Sequence, residues 1–327
     1  MKKNPDKKEF KFWIKTKKWF KKTKSKLRSF FQTLSAWCKT RYHNIIYNTQ
    51  KSKWFQRGIN PLIWPYIILM ILLIVVSLLI ILLYSFIQPT GNSLVFEFNF
   101  ANFAAFFSQQ AFVVSLFLSL GYALIAAIIA IIIAYPVAYV MAFCKSKLLS
   151  KNIWILVTLP IWINMLLKII GLQTLFHMIA PGLLGTPVSI VIGMVYAFIP
   201  FVILPIYNSL DKIDHSLIEA SRDLGANGFT TFWKVIFRQS IPGVIAGGTL
   251  LLVQAATSLL IVKFMGNGQI SMIVEVIETY FFKGGNFGLG AAISVVLAVI
   301  VFIIIIVSNW MSKVFETKRG KRNEKLS

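Results

Sequence analysis

The sequence predicts an all-α membrane protein with six membrane-spanning helices and a patterned cytoplasmic loop. Hydrophobic residues make up 57% of its 327 residues and its mean hydropathy is +0.72, whereas a soluble domain is nearer to half apolar. The excess lies in long uncharged runs, and a helix needs about 20 apolar residues to cross a hydrocarbon core about 30 Å thick. The runs that meet this requirement are 62–87, 111–143, 152–176, 187–210, 241–264 and 289–312.

The positions of the cations set the orientation of these spans. Lys and Arg favour the cytoplasmic side of a membrane, and 31 of the 34 lie in four segments that face the cytoplasm if the N-terminus is inside. We therefore expect a multi-pass protein of the cell membrane with both termini cytoplasmic. The four segments are 1–61, 144–151, 211–240 and 313–327, and the remaining cations are Lys168, Lys263 and Lys283.

The N-terminal region is strongly basic, with eighteen Lys and Arg against Asp6 and Glu9. Between Phe20 and Trp37, apolar and aromatic residues recur at roughly helical spacing. This pattern predicts either an amphipathic helix lying on anionic lipids or a solvated extension that helps to fix the topology. No nucleic-acid-binding motif accompanies the charge, so a nucleic-acid partner is not expected. The predicted regions are a basic cytoplasmic extension at 1–61, a transmembrane domain at 62–315 and a basic cytoplasmic tail at 316–327.

The residue patterns that mark an enzyme are absent from the sequence. The phosphate-binding pattern G-x-x-x-x-G-K-[ST] does not occur, and His43, His177 and His215 stand apart from one another. Cys38 and Cys144 lack the spacing of metal ligands, and we expect both to be reduced thiols. We therefore expect this chain neither to be an enzyme by itself nor to bind a cofactor.

The cytoplasmic loop 211–242 is too long for a turn between two spans and too patterned for a linker. Ser216 and Glu219 have the spacing of a capping box at the start of a helix. Gly225 stands where a left-handed cap would end that helix. The residues that give this helix an apolar face are Leu217, Ile218 and Leu224.

A second short helix is predicted in the same loop, from Thr230 to about Gln239. Pro242 would then lie in the first turn of the following span, a position that tolerates proline. The two helices form a helix–turn–helix beneath the membrane, and its apolar side requires a partner.

The same loop carries a resemblance to a known family. Glu219-Ala220-Ser221, followed after three residues by Gly225, resembles the EAA loop in the permease subunits of ABC importers. That family's pattern is Glu-Ala-Ala, three residues, Gly, nine residues, then Ile-x-Leu-Pro. This sequence has Val235 at the Ile position and departs from the pattern at the Leu-Pro pair, where Phe237 and Arg238 stand.

Three further stretches are similar to the permeases of spermidine/putrescine importers of the PotB type, and the resemblance extends over about residues 62–315. It implies the MetI-like fold of type I ABC importer permeases, with six transmembrane helices and a cytoplasmic coupling helix. The stretches are LPIWINMLLK at 159–168, VYAFIPFVILPIYNSLDKIDHSLIEASRDLGA at 195–226 and PGVIAG at 242–247.

The resemblance also implies partners and a mechanism. A cytoplasmic ABC ATPase dimer would bind ATP and Mg²⁺, and its closure would move the docked coupling helices and switch the permease between inward-open and outward-open. The other implied partners are a second, homologous permease and an extracytoplasmic polyamine-binding protein. The implied coupling residues are Glu219, Ala220, Ser221, Arg222, Asp223 and Gly225.

Polar groups within the spans are candidates for a solute path, because such groups usually face a cavity or a partner helix. Helix–helix hydrogen bonding is the alternative role for them. For Lys168, pairing, gating or snorkelling is favoured over contact with a cationic substrate. The polar candidates are Asn164, Lys168, Gln173, Gln254, Thr257 and Ser258, the aromatic candidates are Trp162, Tyr196 and Tyr280, and the outward-side acids that could attract a polycation are Glu97, Glu275 and Glu278.

Other functions remain open at the level of the sequence. The importer could carry another small solute, such as a phosphonate, thiamine or an iron complex. An ATP-independent channel or secondary transporter is a rival of a different class. A membrane scaffold with a lipid-binding tail is a third, but it leaves the pattern of 211–242 unexplained.

Overall fold

The structure is a computed structural model that describes residues 63–89, 96–98, 100–144, 146–283 and 286–323. The predictions for the basic extension, including the stripe between Phe20 and Trp37, lie outside the described residues. So do those for Cys38 and His43. The chain divides into two compact units, Met1–Val76 and Ser77–Ser327, and the packing described below belongs to the second.

The described chain is almost entirely helical, with one small hairpin. Strands β1 (Ile87–Pro89) and β2 (Phe96–Phe98) pair antiparallel, Gln88 opposite Glu97. A π-helical turn, Phe232–Phe237, joins α8 to α9 without a break. The helices are α1 (Ile63–Ser85), α2 (Ala101–Ser108), α3 (Gln110–Phe143), α4 (Lys147–Trp162), α5 (Met165–Ile179), α6 (Pro187–Leu210), α7 (His215–Asp223), α8 (Gly228–Thr231), α9 (Arg238–Ala256), α10 (Leu259–Met265), α11 (Ile273–Phe282) and α12 (Phe287–Asn323).

Five helices are long and apolar enough to cross a membrane, which confirms the predicted class of an all-α membrane protein. Their bounds agree with the apolar runs at 62–87, 111–143, 187–210 and 289–312. The five are Trp64–Ser85, Gln110–Phe143, Pro187–Leu210, Gly228–Ala256 and Phe287–Phe315.

The span predicted at 152–176 is not a single straight helix. Helices α4 and α5 meet at a bend of 98°, and only the pair together could serve as a sixth span. Pro160 lies in the last turn of α4, where proline removes a backbone hydrogen bond. Ile163 is extended, and the Asn164 side chain accepts the Leu166 N–H at 2.8 Å to begin a new helix. An N-cap residue therefore occupies the bend.

Both predicted bounds of the span at 241–264 are also wrong, since the observed span is Gly228–Ala256. The segment predicted as a separate helix, Thr230–Gln239, is continuous with the span from Gly228 to Ala256, and Pro242 lies inside α9 rather than in its first turn. The helix breaks instead at Thr257–Ser258, where Ser258 is extended. Thr257 compensates for part of this break, because its hydroxyl donates to the Val253 carbonyl at 2.8 Å.

The main core lies where α6 packs between α3 and α9, and small residues allow the close approach. Six alanines of α3 are buried. A Cβ added at Gly243 would lie 2.5 Å from the Pro205 carbonyl oxygen, and one at Gly247 would lie 2.9 Å from that of Val202. Small residues at helix interfaces have this function in membrane proteins, where dispersion contacts replace the hydrophobic effect. The buried alanines are Ala123, Ala126, Ala127, Ala130, Ala134 and Ala138.

A second core joins α2, α3, α11 and α12 around Phe106, Phe112 and Ile273. The Ser119 hydroxyl accepts the Ile273 N–H at 2.8 Å and fixes the start of α11. The structure shows a helix from Ile273 to Phe282, which the periodicity of these residues alone does not decide.

Replacement of Gly243 by alanine tests the close packing of α9 on α6. We expect Gly243→Ala to destabilise the purified protein by about 1 to 3 kcal/mol, the usual cost of overpacking, because its methyl group would meet a backbone carbonyl. Gly121→Ala is the matched control, since nothing lies within 4 Å of the added carbon. Thermal unfolding in detergent measures both, and equal effects would show that this contact is not tight.

Candidate functional site

Helix α7 contains Glu219-Ala220-Ser221, and an aspartate caps its N-terminus. The Asp214 carboxylate accepts the Ser216 N–H at 3.0 Å, so Asp214 is the N-cap. The predicted capping box of Ser216 and Glu219 is therefore wrong, because the helix starts earlier and Ser216 already lies within it. An aspartate is among the most favourable N-cap residues.

The cap also affects the ionisation of Asp214. The backbone hydrogen bond from Ser216, followed by the hydrogen bond to the Ser216 side chain, lowers the pKa of the carboxyl below its ordinary value of 3.8. A lowered pKa in the folded state means that the stabilisation is complete above 3.8 and is lost as the pH falls through the lowered value. The cap is therefore fully formed at neutral pH.

Gly225 ends α7 as the sequence predicted. Its φ is +79°, in the left-handed region that glycine adopts without strain. The Gly225 N–H donates to the Arg222 carbonyl at 2.8 Å, and the Ala226 N–H donates to the Ser221 carbonyl at 3.1 Å. These two bonds form a Schellman motif and satisfy carbonyls that the helix end leaves unpaired.

Helix α7 is attached to the rest of the chain on one side. Ile218 is buried in the main core, and the hydroxyls of Ser221 and Thr231 lie 3.1 Å apart, which joins α7 to α8. The His215 ring meets the Phe143 ring edge-on at 6.0 Å. These contacts give the short helix a fixed position beneath α3 and α9.

The other side of this region is exposed. Leu224 is 88% exposed and Phe229 is 73% exposed, with Leu217 also on the surface; we call these three residues the apolar rim. The predicted apolar face of Leu217, Ile218 and Leu224 is thus divided, because Ile218 faces inward. The motif residues Glu219, Ala220, Arg222, Asp223 and Gly225 are exposed as well, and Ser221 is half-buried.

An aromatic cluster, which we call the aromatic bridge, connects this region to the long helix α3. The Phe232 ring of the π-helical turn lies 5.8 Å from the Tyr135 ring and 5.7 Å from the Tyr139 ring. The Tyr135 and Ser240 hydroxyls form a buried hydrogen bond of 2.9 Å, and Phe237 lies 5.6 Å from Tyr135. Edge-to-face rings stabilise beyond the area they bury, so the two helices are firmly joined here.

Two candidates for the solute path lie at the bend between α4 and α5. Trp162 is 88% exposed, and Asn164 is the N-cap of α5. Lys168, one turn into α5, is buried and donates to the Ala197 carbonyl of α6 at 3.3 Å. Tyr196, the neighbour of Ala197, is 46% exposed. The structure thus brings Lys168 close to the Tyr196 segment of α6.

The remaining candidates lie around the break at Thr257–Ser258. Gln254 and Ser258 do not share a helical face, because Gln254 belongs to α9 and Ser258 precedes α10. The Ser258 hydroxyl is buried and has no hydrogen-bond partner in the described part of the chain. Of the others, Gln173 is half-buried on α5, and the Tyr280 ring packs edge-on against Phe112 at 5.6 Å.

An ion pair that the sequence did not predict lies between α10 and α11. The Lys263 Nζ is 2.5 Å from the Glu278 Oε1, while the second oxygen, Oε2, is buried without a partner among the described residues. No spacing rule indicates the pair, because a non-helical segment with positive φ at Asn267 and Gly268 turns the chain between the two helices.

The family follows from a match over residues 126–321 to the family described as "Binding-protein-dependent transport system inner membrane component". The chain belongs to this family. Membership makes it an inner membrane component of a transport system.

Curated relatives of this inner membrane component carry the name "Spermidine/putrescine transport system permease protein PotB". The relative from Haemophilus influenzae is 34% identical over 178 residues, which is 50% of this chain and 62% of the relative. That from Escherichia coli is 31% identical over 167 residues, 46% of this chain and 61% of the relative. A PotB homolog of Mycoplasma pneumoniae is 35% identical over 159 residues, which is 46% of this chain and 54% of the homolog. The matches thus span less than two thirds of each relative.

Solved structures confirm the permease fold of this inner membrane component. A bacterial ABC transporter for import of the acidic polysaccharide alginate matches with a TM-score of 0.64 at 15% identity, over 82% of this chain and 98% of that one. The MetNI methionine ABC transporter matches with a TM-score of 0.53 at 18% identity, over 62% of this chain and 95% of that one.

The identity of the N-cap is testable by substitution. We expect Asp214→Ala to lower the hydrogen-exchange protection of the first amides of α7 at neutral pH, because the Ser216 N–H loses its acceptor. Asp214→Asn retains a side-chain oxygen and should preserve most of the protection.

The control for this prediction is Ser216→Ala, which leaves the Asp214 cap in place. Hydrogen-exchange mass spectrometry of the purified protein compares the three variants. If Ser216→Ala lost as much hydrogen-exchange protection as Asp214→Ala, Ser216 would be the capping residue and the predicted capping box would be correct.

Proposed function

We propose that this chain is the permease subunit of an ATP-driven importer and that α7 is its coupling helix. The observation that carries the proposal is the form of α7: both ends are capped, one side is buried in the chain, and the apolar rim and the motif residues are exposed. An exposed apolar patch beside charged residues marks a contact with another protein. The cleft of a cytoplasmic ATPase is the partner that fits.

The charge distribution supports the orientation that this proposal requires. With the N-terminus inside, the loop 211–240 lies in the cytoplasm together with 31 of the 34 Lys and Arg. The sequence contains no phosphate-binding loop, so ATP and Mg²⁺ belong to the partner ATPase dimer. A second, homologous permease and an extracytoplasmic binding protein complete the proposed assembly, in the cell membrane with both termini cytoplasmic.

The contacts of α7 provide a route for the movement. A displacement of α7 would reach α8 through Ser221 and Thr231, and would reach α3 through the aromatic bridge. Helices α3 and α9 both pack on α6 in the main core. Because packed cores move as units rather than deform continuously, a shift of α7 would be transmitted to the spans.

We propose a polyamine as the solute. The support is the name that the curated relatives carry and the presence of Glu275 and Glu278 in a segment that is extracytoplasmic if the loop 211–240 is cytoplasmic. Lys168 would act in gating, since its ammonium group already bonds to α6, while Trp162, Asn164, Tyr196, Gln254 and Ser258 would line or support the path.

The test of the function is uptake by the reconstituted complex. Proteoliposomes that contain this chain with its partner subunits should accumulate labelled spermidine or putrescine when ATP and the binding protein are present, and should not when ATP is withheld. Saturable uptake of a different solute with which neither polyamine competes would remove the polyamine assignment. Uptake that persists without the ATPase would remove the importer assignment.

The apolar rim provides a further prediction, which compares two exposed phenylalanines. We expect Phe229→Ala to weaken co-purification of the ATPase and to lower uptake about tenfold, as loss of one anchor residue at an interface often does. Phe282→Ala is the control, because Phe282 is 83% exposed on α11 and lies outside the loop.

Affinity co-purification and uptake measure both variants at equal membrane levels. If Phe282→Ala lost the ATPase and Phe229→Ala did not, the docking surface would be on the other side of the chain.

A further inference from the structure

The π-helical turn Phe232–Phe237 interrupts a helix that otherwise runs from Gly228 to Ala256. Such turns are rare, and within α-helices they are frequent at functional sites. This one separates α8, which is joined to α7 by a pair of hydroxyls, from the span that contains α9. A displacement of α7 that travels along the chain to α9 therefore has to pass through the turn.

A buried hydroxyl pair holds the beginning of this turn. Thr231, the residue before the turn, is buried, and its Oγ1 lies 3.1 Å from the Ser221 Oγ of α7. The Thr231 N–H donates to the Asn227 carbonyl at 2.9 Å, which keeps the residue in α8. The pair thus joins a residue of the Glu-Ala-Ser motif to the first end of the turn.

A second buried pair holds the other end of the turn. The Ser240 hydroxyl donates at 2.9 Å to the carbonyl of Phe237, the last residue of the turn. A serine hydroxyl has one proton, and Phe237 receives it, so the Tyr135 hydroxyl must be the donor in the 2.9 Å bond to the Ser240 Oγ. A chain of two hydrogen bonds therefore runs from Tyr135 of α3 to the backbone of the turn, and the members of such a chain strengthen one another.

These two hydroxyl pairs, which we call the hydroxyl clamps, constrain the turn in a way that the burial of the aromatic bridge does not. A hydrogen bond weakens steeply when its distance or angle changes, whereas the hydrophobic effect has no preferred direction. Thr231 and Ser240 are both buried, so the loss of a partner leaves an unsatisfied hydroxyl. The rings hold the turn against α3, and the clamps fix its position along the helix axis.

We propose that Tyr135 and Thr231 are positioning residues for coupling, because their hydroxyls fix the two ends of the π-helical turn. With both clamps closed, a displacement of α7 moves α3 and α9 together and is not absorbed within the turn. Tyr135 acts through Ser240, and Thr231 acts through Ser221. This inference rests on the proposed function, because it names the residues that transmit the movement of the ATPase to the spans.

The experiment measures ATP hydrolysis and uptake of labelled putrescine by the same reconstituted importer complex. Tyr135→Phe and Thr231→Val each open one clamp with little change in side-chain shape. We expect each to lower the putrescine taken up per ATP hydrolysed about tenfold, the size expected when a buried hydrogen-bonding group loses its partner. ATP hydrolysis should continue, because the exposed side of α7 is unchanged.

Tyr139→Phe and Thr231→Ser are the matched controls. Tyr139 belongs to the same aromatic bridge, but its hydroxyl forms no hydrogen bond among the described residues, and Thr231→Ser retains the clamp hydroxyl. Both controls should keep the wild-type ratio of uptake to hydrolysis. They should also keep the wild-type hydrogen exchange of residues 232–241 in the complex, whereas Tyr135→Phe and Thr231→Val should exchange faster there.

A purely structural role predicts a different result. ATP hydrolysis and uptake would then fall in the same proportion, and their ratio would not change. That result, or a wild-type ratio in either Tyr135→Phe or Thr231→Val, would overturn the inference. Failure of the proposed function is distinguishable, because the wild-type complex itself would then show no ATP-dependent uptake.

Discussion

Backbone N–H and C=O groups have no water to bond with inside a bilayer, and this constraint governs where the chain can leave the helical conformation. Each break in the described part that lies near membrane depth has a local substitute for the lost bonds. Asn164 caps α5 at the bend, and Thr257 bonds back to Val253 at the end of α9. After α10, the Met265 carbonyl accepts the Gly185 N–H at 2.9 Å and the Ser189 hydroxyl at 3.0 Å.

The same constraint is relaxed outside the membrane-spanning helices, where α7 lies between two of them. Helix α7 is short and amphipathic, with a charged cap at one end and a left-handed glycine at the other. Such a helix would be marginal alone, and its stability comes from Ile218 and the contacts to α8. Its exposed side is consequently free to bind a partner while its buried side stays connected to the spans.

The sequence predicted the features that depend on local chemistry. Five of the six predicted spans correspond to single long helices, because length and hydropathy decide whether a helix can cross hydrocarbon. Gly225 was predicted as a cap from its place after the helix. The N-cap was missed because Asp214 and Ser216 are both good capping residues two positions apart. Sequence spacing alone does not decide which of them has the extended backbone of a cap.

Features that depend on tertiary contacts could not be predicted from the sequence pattern. Pro160 and Pro242 both lie in apolar runs, yet a 98° bend occurs only four residues after Pro160, whereas the helix continues through Pro242. The break at Thr257 carries no proline or glycine, and the Lys263–Glu278 pair joins helices separated by an irregular segment. Neighbouring helices decide these outcomes, and no residue spacing records them.

The central claim is that α7 lies in the cytoplasm and docks on an ATPase, and in-cell crosslinking tests it most directly. A photoreactive amino acid placed at Leu224, which is 88% exposed, should form a covalent adduct with the ATPase subunit, while the same group at Phe282 should not. Reaction of a Leu224→Cys variant with a membrane-impermeant thiol reagent added outside intact cells would place α7 on the exterior and contradict the account.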